Sequence, residues 1–202
     1  MARTESTLAP LGSPAPDFHL QDTVTGNSVF LHDYTDKAAL LVVFLAPHCP
    51  FVKHVQHELA VLGEDYQKKN VGFVAISAND PVAYPDDAPE KLKEFAQSAG
   101  FTFPLLFDET QEVAKAYQAA STPDFFVYDS NHKLVYRGQL DDSRPKSEIP
   151  VTGRDIRAAL DAILAGDPVS QDQRASVGCN IKWKPGNEPS YYSQPEKVAA
   201  AA

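Results

Sequence analysis

The longest uninterrupted apolar stretch of the chain is Ala38–Ala46. A strand with one wet face alternates with period two, so an unbroken run predicts burial on both faces. The segment Ala38–Leu45 therefore reads as the centre of a partly parallel sheet. From Phe51 the apolar positions change to helical spacing: Phe51, Val55, Leu59, Leu62 and Tyr66, ending in Gln67-Lys68-Lys69-Asn70. Between strand and helix sits the short turn Pro47-His48-Cys49-Pro50.

The same reading extends along the chain. Gly26-Asn27 marks a hairpin turn between Phe18–Leu20 and Ser28–Leu31. Val71–Ser77 is a second buried strand. Asp87 with Glu90 three residues on reads as a capping box, opening a helix through Leu92, Phe95, Ala96 and Ala99 to Gly100. Phe103–Phe107 is a short strand, and Asp108 with Gln111 opens a helix through Val113, Ala114 and Tyr117. Phe125–Tyr128 and Leu134–Tyr136 form a hairpin across Asp129–Lys133. Asp141–Glu148 reads as a solvated loop, and Thr152 opens a last helix that stops at Gly166. The pattern then fades. Residues 1–10 are expected to be flexible, 11–166 a domain, and 167–202 a tail either wrapped on the body or mobile. The order of elements predicts an α/β fold, a mixed sheet flanked by helices.

Composition adds limits. The chain has 202 residues and a formal net charge of −9, which argues against nucleic-acid and anionic-membrane partners. Ala38–Ala46 is far short of the about 20 residues a membrane span needs. With no signal-peptide pattern at Met1–Pro10 and only two cysteines, the chain reads as cytoplasmic, its thiols kept for chemistry or present by chance.

Cys49 is the candidate reactive group. A helix start carries about half a positive charge and several unpaired N–H groups, both of which favour a thiolate. Pro50 suits the first helical position, where a missing N–H costs nothing. The alternative is a buried, inert thiol. His48 could lower the thiol pKa and shuttle a proton, or could be a polar turn residue. Lys53 could help the thiolate or simply be solvated. His54 and His57, three apart, suit an ordinary helix surface better than a metal site, and no metal or other cofactor is expected.

Three segments resemble the thioredoxin fold in its peroxiredoxin-like branch, together covering about Leu11–Ala165: Ala46-Pro47-His48-Cys49-Pro50, Ser121-Thr122-Pro123-Asp124-Phe125, and the lead-in Gly12-Ser13-Pro14-Ala15-Pro16-Asp17-Phe18. The resemblance implies a thioredoxin-like fold with a C-terminal extension and a cis Pro123. It implies that Thr122, Pro123 and Pro47 contact substrate, with the Thr122 edge pairing to an extended chain. Gly178-Cys179-Asn180-Ile181-Lys182-Trp183-Lys184 resembles the end of an uncharacterised peroxiredoxin-like group that usually carries C-N-H-C-P at the active turn. Here Ala46 replaces the first of those cysteines, so dithiol chemistry within the turn is impossible. Ala46 and Val42 also stand where peroxiredoxins place a threonine or serine and a proline, and no arginine precedes Pro123.

The expected function is that of a thiol-dependent oxidoreductase or antioxidant, acting on peroxide or protein disulfide through Cys49. Either product needs a second thiol for turnover. Cys179 is the other cysteine in the chain and either resolves Cys49 or merely packs in the docked tail or faces solvent. A thioredoxin-like or glutathione-type thiol would be the electron donor. The alternative is a redox-sensing or catalytically silent binding module that holds a partner at the Pro123 edge and the tail. Trp183, Tyr191 and Tyr192 either pin the tail or offer a partner surface.

Overall fold

The computed structural model describes residues 3–7 and 9–192. The elements in order are β1 (Arg3–Glu5), β2 (His19–Asp22), β3 (Ser28–Phe30), β4 (Ala39–Phe44), α1 (Pro50–Gln67), β5 (Val71–Ser77) and α2 (Pro89–Ala99). There follow β6 (Leu105–Phe107), α3 (Glu112–Ala116), β7 (Ser121–Thr122), β8 (Asp124–Asp129), β9 (Leu134–Gly138), α4 (Arg154–Ala165) and β10 (Val177–Asn180). Seven strands form one sheet in the order β3-β2-β6-β5-β4-β8-β9. β4 runs parallel to β5 and antiparallel to β8. This is the expected mixed α/β arrangement, a thioredoxin-like fold.

The unbroken apolar run of β4 has the predicted cause. Leu41, Val43 and Leu45 face one core with Val55, Leu59 and Leu62 of α1 and with Ile156 and Leu160 of α4. Leu40, Val42 and Phe44 face a second core with Tyr117, Phe126, Ile181 and Trp183. The second core is thus closed partly by the tail. Trp183 is buried, and Tyr191 and Tyr192 pack beside it.

A second, three-stranded sheet has the order β1-β10-β7. It corrects one expectation and decides between two others. Residues 3–5, expected to be flexible, form a strand on β10, and of the two readings of the tail the wrapped one holds through residue 192. The expectations for residues 1, 2, 8 and 193–202 lie outside the described residues.

Three helix starts also differ from expectation. The residue before α2 is Ala88, with no side-chain cap, and Asp87 is turned into the protein. Pro89 already supplies a first position that needs no hydrogen-bond partner. Asp108 does serve α3, accepting from Ala114 N–H at 2.8 Å, whereas the Gln111 amide donates to Ala78 O at 2.6 Å. Asp141, expected in a solvated loop, is buried and accepts N–H bonds from Ser143, Thr152 and Gly153, so it caps α4 from outside the helix.

Candidate functional site

β4 delivers the chain to the turn, and Cys49 becomes the N-cap of α1, with Pro50 as the first helical residue. The sulfur therefore stands at the positive end of an 18-residue helix, as expected. The Thr122-Pro123 peptide is cis. Thr122 O lies 3.1 Å from Cys49 Sγ and accepts from the thiol when Cys49 is protonated.

The tail completes the site. In β10, Cys179 pairs with Thr122 and Asn180 with Ser121, while on the far side Cys179 pairs with Arg3 and Gly178 with Thr4. This register sets the Cys179 and Cys49 sulfurs 2.9 Å apart and not joined as a disulfide. Both cysteines are buried, at 0% and 1% exposure. Thr122 and Pro123 lie buried under β10, so the edge expected to meet an extended substrate is filled by the chain's own tail.

The two thiols titrate as a pair. The Cys49 thiol is pushed down to about 5, first by its contact with Cys179. Burial opposes this, and the Thr122 side chain and the backbone N–H groups of Val52 and Cys179 add to it. The same contact, together with burial, pushes the Cys179 thiol upward. Of the two, Cys49 is the one favoured as thiolate and Cys179 the one favoured to keep its proton.

His48 does not supply that stabilisation. Its Nδ1 lies 2.7 Å from Oδ2 of the fully buried Asp87, and its ring stacks on Tyr84 at 5.6 Å. The close Nδ1–Oδ2 approach lacks the alignment of a hydrogen bond. Asn79 Nδ2 donates to the same carboxylate oxygen at 2.8 Å. Removing this carboxylate leaves the buried Asn79 amide without its acceptor. Asp87→Ala is expected to cost about 1–3 kcal/mol, read as a lower urea midpoint, and Asp87→Asn, which keeps an acceptor for Asn79, less.

Lys182 is a second residue that the sequence reading did not single out. Its ammonium binds Asn180 O at 2.9 Å and Asn180 Oδ1 at 2.8 Å, and stands 5.7 Å from the Tyr84 ring centre. Burial pulls its pKa down, while the charges of Cys179, Cys49 and Asp87 push it back up. The tail thus brings both a thiol and a cation to the site. Its own anchors are polar: Lys182 N donates to Asn79 Oδ1 at 2.8 Å, Asp80 N to Lys182 O at 2.8 Å, and Lys184 N to Gln111 Oε1 at 2.9 Å.

The remaining candidates fall elsewhere. Pro47 is buried and, with His48, lines an open groove shared with exposed Lys53. His54 Nε2 meets Ser143 Oγ at 2.7 Å, and His57 is exposed. Asp124, whose carboxyl burial pushes up to about 8, pairs with Phe44 across the sheet, on the face opposite the thiols.

The sequence profile of the AhpC/TSA family matches residues 11–137. The chain belongs to the AhpC/TSA family. A thiol-disulfide oxidoreductase, ResA, from Geobacillus thermodenitrificans is 32% identical over 134 residues, covering 65% of this chain and 70% of that protein. An uncharacterized conserved protein from Geobacillus kaustophilus is 57% identical, with a TM-score of 0.90, covering 92% of this chain and 98% of that one. A hypothetical protein from Sinorhizobium meliloti is 46% identical, with a TM-score of 0.89, covering 91% and 100%. The last two matches are too long to stop at residue 166, so the likeness extends into the tail. The function of this AhpC/TSA family protein is thiol-dependent and redox. Among the described residues no helix is long and apolar enough to cross a membrane.

Proposed function

We propose that the protein is a thiol oxidoreductase in which Cys49 attacks and Cys179 resolves, with protein disulfides as the first substrate. The observation that carries this reading is the pair of sulfurs 2.9 Å apart at the start of α1. The Cys49 thiolate attacks one sulfur of a substrate disulfide. A Cys49–substrate disulfide forms, and the other substrate sulfur leaves as a thiolate and takes a proton. Cys179 then loses its proton and attacks Cys49 Sγ, releasing the second substrate thiol and closing a Cys49–Cys179 disulfide. An external thiol reductant, thioredoxin-like or glutathione-type, returns both cysteines to thiols.

A peroxide could enter the same cycle. Cys49 would take one oxygen as a sulfenic acid, leaving an alcohol or water, and Cys179 would condense with it, releasing water. Disulfide is preferred because the groups that stabilise the Cys49 sulfur are Cys179, Thr122 and the Val52 N–H, with no arginine among them to polarise a peroxide.

Cys49→Ser is expected to abolish reduction of a protein disulfide such as that of insulin, followed by turbidity. Cys179→Ser should accumulate the mixed disulfide with Cys49, seen by intact-protein mass spectrometry. Full activity in Cys49→Ser would overturn the reading.

The burial of both sulfurs favours one second reading, a redox-sensing module whose tail answers oxidation instead of turning over. Stoichiometric disulfide closure without catalytic turnover, given an excess of reductant, would select it.

A further inference from the structure

Resting on the reading of Cys49 as the attacking thiolate, we propose that the slot held by β10 is also a binding site for foreign protein strands. It selects segments in which the reacting cysteine directly follows a glycine. β10 is a middle strand, paired with Arg3–Glu5 on one side and with Ser121–Thr122 on the other. An entering segment would gain backbone pairing on both sides, so binding needs little from its side chains. To bring its sulfur onto Cys49 it must repeat the register of Cys179 opposite Thr122.

That register puts the preceding residue against backbone. At Gly178 an added Cβ would overlap Thr122 O and Thr122 C and crowd Pro123 N. These are buried main-chain atoms beside the thiolate, not the yielding end of a side chain. Any residue other than glycine there must shift the strand away from Cys49.

The tail would exchange over this stretch alone. Residues 167–175 before it are exposed or half-buried and form no regular element, and they are tied to the body through Gln173, which bonds Val135 and Arg137, and through Gln139 N–H on Arg174 O. After it, Ile181 N–H holds Ala120 O at 3.1 Å, and Lys182 and Trp183 stay anchored. A substrate strand takes the slot and its disulfide sulfur bonds to Cys49, expelling the partner sulfur as a thiol. Returning β10 then displaces that strand while Cys179 bonds to Cys49, releasing the substrate's cysteine. The substrate disulfide gains two electrons from the protein's two sulfurs and two protons, one lost by Cys179 and one taken from solvent, because Cys49 enters as the thiolate.

The test compares two peptides, Ser-Val-Gly-Cys-Asn-Ile and Ser-Val-Ala-Cys-Asn-Ile, each carrying its cysteine as a mixed disulfide with thionitrobenzoate. Release of the yellow thiolate is followed with the full-length protein, with Cys49→Ser as the blank. The glycine peptide is expected to react at least about tenfold faster. Equal rates would overturn the glycine selection and leave Cys49 as nucleophile. Free dithiobis(nitrobenzoate) is run as a third probe; if neither peptide reacts while this simple aromatic disulfide does, the slot is closed to foreign strands and the inference fails alone. Silence toward all three would overturn the role of Cys49 as well.

Discussion

Cys179→Ala is expected to raise the Cys49 pKa from about 5 to at least the ordinary thiol range near ~8.5. The first cause of the low value is the contact with Cys179, and burial acts in the opposite direction. Deleting the donor therefore removes the dominant stabilising group and leaves burial opposed by the helix end and Thr122. Near pH 7 the thiolate fraction would fall from nearly all molecules to about a few per cent. Ultraviolet absorbance of the thiolate during a pH titration measures this directly. Cys179→Ser keeps a hydroxyl donor and should rise less. An unchanged pKa in Cys179→Ala would mean that the α1 N-terminus suffices alone.

The same pair shapes stability against pH. Cys49 has a folded pKa below its unfolded one. Its contribution is full above the unfolded thiol pKa and is lost as pH falls through about 5. Cys179 has a folded pKa raised above the unfolded one, so it stays protonated where the unfolded chain ionises, and it costs stability above about pH 9. Unfolding free energy should climb from about pH 5 to 9 and then bend down. Cys179→Ala should flatten both limbs, as read from urea midpoints across that range.

Gly178→Ala is expected to expel β10 from its slot. The new methyl group meets Thr122 O and Thr122 C, which are main-chain atoms of a buried residue and not the yielding end of a side chain. Overpacking of this kind costs about 1–3 kcal/mol, and here the strand has a cheaper escape, since β10 can peel off with Cys179. Cys49–Cys179 disulfide formation under mild oxidation should slow by more than about tenfold. Limited proteolysis should cut the chain near residues 167–176 faster than in the wild-type protein. β1 pairs only with β10 in the small sheet, so it should lose protection in hydrogen exchange at the same time. Unchanged disulfide kinetics with an intact tail would show that Thr122 yields to the methyl group.

Much of this protein could be read from local pattern. The unbroken apolar run of β4, the change to helical spacing at Phe51 and Pro50 after Cys49 put a sulfur on a helix end, and the structure agrees. These signals are legible because strand burial, helix periodicity and N-cap chemistry are set within a few neighbouring residues. Asp87 shows where local reading misleads. Three residues before Glu90 it has the spacing of a cap, yet its carboxylate meets His48, 39 positions earlier, and the helix starts without it.

The sequence by itself determined the fold class and the sheet-to-helix turn that sets Cys49 at a helix start. Only the tertiary structure decided what lies against that sulfur and what covers it. The decisive sulfur contact spans 130 positions of chain, and it depends on Gly178 letting the tail lie against the backbone of Thr122. A contact at that separation leaves no period in the sequence, because it is created by where the elements pack and not by the residues beside it.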